Sequence, residues 1–200
     1  HSPKFLLAGI LALIGSSAAS ADCRVDFDAV NRQRQDFLRY EINVTADVIA
    51  PDGSVSKHMS SSSQFDMAGG LRMKTSGLNT QSDFIIIDNN GWNLANGSWT
   101  PMPAEQLKLA LEGIVADRYV YDKDTADFEC PGQQQFEGRP HETFVFKQTV
   151  GALETRVVAH FDAASRLPAA TVANAETNGY KVVVTTRYRF DPEIRIEAPN

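Results

Sequence analysis

The chain is expected to form a mainly β, α+β fold: one strongly curved antiparallel sheet, a half-barrel of about eight to ten strands, with an internal amphipathic helix as its lid. Three observations carry this. Apolar and polar residues alternate with period two from Tyr40 to Val48 and again from Val182 to Phe190, as in strands with one dry face. Turn dipeptides separate short β-like runs throughout, and one stretch, from Ala104 onward, has helical spacing instead.

In chain order, Lys4 precedes an apolar run over residues 5–14, and Ala19, Ser20 and Ala21 supply small residues before Asp22. This is the pattern of a secretory signal peptide cleaved after Ala21. The run is roughly ten residues, against the ~20 that span a bilayer. Residues 1–21 are therefore expected to be a leader and residues 22–200 a single half-barrel domain. Lipid attachment at Cys23 is the competing reading, disfavoured because the charged Asp22 precedes that cysteine.

Export leads to an oxidising compartment, and the chain holds two cysteines, Cys23 and Cys130. An even pair in that setting is expected to be a disulfide joining the start of the domain to a mid-chain loop. A redox or metal role has no CxxC spacing or adjacent histidine to support it.

Residues 26–35 are weakly helical through Phe27, Val30, Asn31 and Arg34. The first strand follows at 40–48, and Pro51-Asp52-Gly53 turns the chain into a serine-rich β segment, 54–67. Gly69-Gly70 reverses it into 71–75. Phe84-Ile85-Ile86-Ile87 reads as a central strand because it is apolar throughout. Asn89-Asn90-Gly91 and Asn96-Gly97 then punctuate two hairpins that carry Trp92 and Trp99. These tryptophans are expected to pair across strands or to form an exposed platform.

Pro101 and Pro103 end this run. Leu107, Leu111, Ile114 and Val115 then define a helix over 104–117, with Glu105 in its first turn. The segment around Cys130, Pro131 and Gly132 reads as a loop. Strands resume at 141–150, 153–162, 169–176 and 180–190, and residues 191–199 read as a closing edge strand.

The strand ending in Ile-Ile-Ile-Asp, the Asn-Gly turn, Trp92, the short strand through Trp99 and the helix from Ala104 resemble the periplasmic lipoprotein carriers of the Lol type, the lipoprotein-localisation-factor superfamily. Phe161-Asp162 followed by Arg166-Leu167-Pro168, and the terminal run from Tyr188 to Ile196, are similar to passages of the same superfamily. The resemblance implies a half-barrel plugged by helical segments. It also implies handling of a lipid or a lipoprotein acyl chain, although no residue here can be matched to the buried arginine those carriers use.

The function read from this is a non-catalytic periplasmic binding or carrier protein for a hydrophobic ligand in the sheet-helix cavity. Its expected lining is Tyr40, Ile42, Phe65, Phe84, Ile86, Trp92, Phe144, Phe146, Phe161 and Tyr188 from the sheet, with Leu107, Leu111 and Ile114 from the helix. The alternative is an envelope protein-interaction or structural module whose core is filled by its own side chains.

Other classes find less support. A net charge of −6 without a basic cluster argues against a nucleic-acid partner. His58, His141 and His160 have no zinc-like spacing, so no metal and no cofactor is expected. The hydrolase elbow, the zincin helix and the phosphate-cradling glycine loop are all missing from the sequence. Membrane contact is expected to be transient.

Overall fold

The computed structural model describes residues 15–77 and 83–200. The elements are α1 (Gly15–Asn31), a short 3-10 turn (Gln35–Phe37), β1 (Arg39–Ile49), β2 (Val55–Asp66), β3 (Arg72–Gly77), β4 (Phe84–Ile87), β5 (Asn90–Ala95), β6 (Ser98–Pro101), α2 (Ala104–Glu112), β7 (Thr125–Phe136), β8 (Arg139–Val150), β9 (Leu153–Asp162), β10 (Pro168–Thr177) and β11 (Tyr180–Phe190). The expected leader lies largely outside the described residues, and position 21 falls within α1.

All the strands join one open antiparallel sheet in the order β6-β5-β4-β3-β2-β1-β11-β10-β9-β8-β7. It is two meanders sharing a centre, because the long hairpins β1–β2 and β10–β11 meet through the β1–β11 pair, with Tyr40 opposite Phe190 and Val48 opposite Val182. The sheet does not close, which is consistent with a half-barrel. Its 11 strands exceed the expected number because the mid-chain loop is in fact β7. That segment looks irregular because it is: its register shifts twice against β8, with positive φ at Asp127 and Gly132. An edge strand tolerates such bulges, and tolerates Pro131, since half of its ladder has no partner to lose.

Side-chain parity divides the sheet into two faces. On one face, α1 covers β7 to β9. Phe27 is fully buried there, its ring 5.3 Å from Phe128, 5.5 Å from Phe144, 5.2 Å from Phe146 and 6.1 Å from Phe161. The Cys23–Cys130 disulfide ties this helix to β7.

On the same face but toward the other edge, Leu107, Ala110 and Leu111 of α2 pack against a cluster containing Tyr40, Phe65, Met73 and Ile86. The helix stops at Glu112 rather than running to position 117, because Gly113 caps it and donates its N–H to Leu111 O.

The opposite face of β4 and β5 is covered by the C-terminal tail. This tail is no edge strand: after Asp191, whose N–H donates to Arg39 O at 3.2 Å, residues 192–200 are in no strand. Instead Ile194 and Ile196 bury themselves against Ile85, with Ile87, Trp92 and Trp99 around them, and Arg72 Nη1 donates to Ile196 O at 3.1 Å. Burial of apolar side chains takes the place of backbone pairing here.

Candidate functional site

Between the cluster under α1 and the cluster under α2 lies the centre of the sheet. The chain segment from α2 to β7 crosses this gap and encloses a cavity of about 260 Å³. Its floor is the sheet: Tyr40 and Ile42 of β1, Phe65 of β2, Val184, Thr186 and Tyr188 of β11, and Thr171, Ala173 and Val157 of the strands beyond. Its roof is the crossing segment, with Ile114, Val115, Arg118, Tyr119, Val120 and Tyr121, and Gln148 of β8 stands at the side.

The roof is fixed by the end of α1. Gln33 N–H donates to Asp117 O at 2.8 Å and Tyr119 N–H donates to Asn31 O at 3.0 Å. The buried Asn31 side chain closes a second pair, Nδ2 to Val120 O at 2.9 Å and Val120 N–H to Oδ1 at 2.8 Å. Gln33 Nε2 adds a bond to Arg118 O at 2.9 Å. Backbone polar groups that a cavity roof would otherwise leave unmatched are thereby satisfied.

Three of the tyrosine hydroxyls also have partners. Tyr188 donates to Tyr119 O at 3.2 Å, Tyr119 donates to Phe37 O at 3.0 Å, and Tyr40 accepts from Gln33 at 3.2 Å. Burial pushes the Tyr40 and Tyr188 phenols well above their ordinary range, with the neighbouring phenol adding to it, Tyr119 for Tyr40 and Tyr40 for Tyr188. They are neutral groups presenting ring faces.

Arg118 differs from its neighbours. Its Nε lies 3.6 Å from Asp122 Oδ2, a carboxylate shared with Arg24 Nη2 at 3.3 Å. Its Nη1 is buried and, among the described residues, has no hydrogen-bond partner. Leaving a buried donor unmade costs about 1–3 kcal/mol, more when it is charged.

Of the residues expected to line a cavity, Tyr40, Ile42, Phe65, Ile114 and Tyr188 do so. Phe84 and Ile86 belong to the packed cluster under α2. Leu107 and Leu111 border a separate groove of about 490 Å³ that opens to solvent beside Lys108 and Lys123. Phe144, Phe146 and Phe161 are filled core around Phe27. Trp92 sits on the other face, with the tail. Reading the sequence overlooked Val184, Thr186 and the roof beyond Ile114. The first two were recoverable, since they share parity with Tyr188 in β11, but residues 118–121 of the roof carried no pattern.

No family model and no curated protein sequence matches this chain. Solved structures do. The lipoprotein LppX of Mycobacterium tuberculosis superposes with a TM-score of 0.53 at 11% identity, over 92% of this chain and 100% of that one. In fold, this chain is similar to LppX. LprF of Mycobacterium bovis gives a TM-score of 0.46 at 12% identity, covering 92% and 98% of the two chains. A LolA superfamily protein from Nitrosomonas europaea gives 0.39 at 9%, covering 86% and 94%. The fold read from hairpins and aromatics is thus one shared with LppX, and a shared fold alone assigns no ligand.

No described helix is long and apolar enough to cross a membrane, and no group of three or more metal-ligating side chains occurs among the described residues.

Proposed function

We propose that this protein is an exported, non-catalytic carrier that takes up a lipid or other acyl chain in the cavity at the centre of its sheet. Residues 1–21 act as the leader, the mature domain begins at Asp22 and retains Cys23, and the compartment is the periplasm. In this reading α2 and the segment that follows it form the lid, and the bound chain contacts the faces of Tyr40, Phe65 and Tyr188. The observation that carries it is the cavity itself, which sits on the inner face between the cluster under α1 and the cluster under α2. Walls that are mainly apolar and aromatic suit an apolar occupant. The fold shared with the lipoprotein LppX supports an envelope setting.

The test is native mass spectrometry of protein from a periplasmic extract, with organic extraction of any adduct, followed by melting of the stripped protein with added decanol. A ligand that binds only the native state raises the melting temperature. An extractable adduct of lipid mass, and a melting temperature that climbs with decanol, are the expected results. A bare mass together with an unmoved melting temperature overturns the carrier reading and favours an envelope interaction module.

A further inference from the structure

Resting on the cavity reading above, we propose that the occupant is an amphiphile with an anionic head, a carboxylate or phosphate on a medium-length chain, and that the Arg118 guanidinium receives that head. Arg118 is the one charged residue among the described residues that line the cavity. The hydroxyls of Tyr40, Tyr119 and Tyr188 are committed to protein partners, whereas Nη1 of Arg118 is a buried donor with none among the described residues. A guanidinium cannot shed its charge in a protein, and its planar fork matches carboxylate and phosphate oxygens. The nearest compensating charge, Asp122, faces Nε rather than Nη1, at 3.6 Å, and is shared with Arg24.

The arginine is also held in place. Its carbonyl accepts from Gln33, and the residues on either side of it are bonded to the end of α1, so the guanidinium is presented from an anchored backbone. The remaining space sets the chain length. At ~30 Å³ for a water-sized group, about 260 Å³ admits roughly eight or nine such groups, a medium chain or the end of a longer one. With a net charge of −6, the protein as a whole repels anions, so any preference for an anionic head must arise locally.

The experiment is calorimetric titration of the whole mature protein at pH 8 with decanoate, decyl phosphate, decanol and inorganic phosphate. Decanoate and decyl phosphate are expected to bind roughly ten- to a hundredfold more tightly than decanol, the range of one charge-assisted hydrogen bond, and inorganic phosphate far more weakly than decyl phosphate. Arg118→Met should bring the acid-to-alcohol ratio near one, and Arg118→Lys should keep part of it. Equal affinity for decanoate and decanol in the unaltered protein overturns the head assignment while leaving an apolar cavity. Phosphate binding as tightly as decyl phosphate overturns the amphiphile, and a ratio that survives Arg118→Met overturns the role of that residue. If no chain binds, both readings fall. The comparison within the unaltered protein decides even where Arg118→Met does not fold.

Discussion

His160 shows how one buried polar side chain sets a pH limit on this fold. It lies on β9 with only 7% of its surface exposed, stacked on Phe136 with ring centroids 4.1 Å apart and with Nδ1 3.3 Å from Thr143 Oγ1. Burial lowers its pKa, and His141, its ring 6.0 Å away, lowers it further, against a smaller opposing effect of Glu137. The folded protein therefore takes up this proton at lower pH than the unfolded chain. Above the ordinary histidine range neither state is charged at this position, and the stability is intact. As pH falls through that range the unfolded chain protonates first and the native state loses ground, until the pH passes below the folded value. Urea unfolding between pH 8 and pH 5 should show a steeper loss for the natural protein than for His160→Gln. Parallel curves would remove His160 as the cause. None of this was legible in the sequence, because the burial of His160 depends on strand parity together with Phe136 from a segment read as loop. Arg118 and Asn31 were hidden for a related reason: the contact that buries Asn31 joins residues 89 apart in sequence.

At the scale of elements, alternation was reliable wherever a strand has one wet face. β1 and β8 to β11 lie within two residues of the spans read from periodicity. The reading failed where something other than a sheet partner hides a face. Phe84–Ile87 is apolar throughout, yet β4 lies near the β6 edge, and the covering of its second face is the C-terminal tail. The tail was taken for a strand because its isoleucines alternate, which burial against one face produces equally well. The seat of α2 depends on Gly91. A Cβ there would stand 3.0 Å from both Cβ and Sδ of Met102 and 3.2 Å from Leu107 Cδ1. Overpacking of this kind costs typically 1–3 kcal/mol. Gly91→Ala should lower the denaturant midpoint accordingly, and Gly91→Ala with Met102→Ala should recover part of the loss. If the double variant is no more stable than the sum of the singles, the close approach to Met102 is not the cause.

The whole molecule is two covered half-sheets joined at β1–β11, with the cavity at the join, and its covering on one side depends on α1. That helix is fixed to β7 by Cys23–Cys130, a link across 107 residues of sequence, and it carries at its far end the bonds that hold the cavity roof. Cross-linking so long a loop restricts the unfolded chain, and losing such a bond typically costs about 2–5 kcal/mol. Reduction, or Cys23→Ser with Cys130→Ser, should lower stability by that order in denaturant titrations. The loss should not be spread evenly. Phe27 still fills its aromatic pocket without the disulfide, so the sheet persists while the helix opens more often. Because residues 117–120 hang from Asn31 and Gln33, amide exchange should quicken in α1 and in that segment together, with β10 and β11 unaffected. Faster exchange in α1 alone would mean that the roof is held by its contacts with the sheet, and that the disulfide bears on the overall stability of the domain without bearing on its cavity.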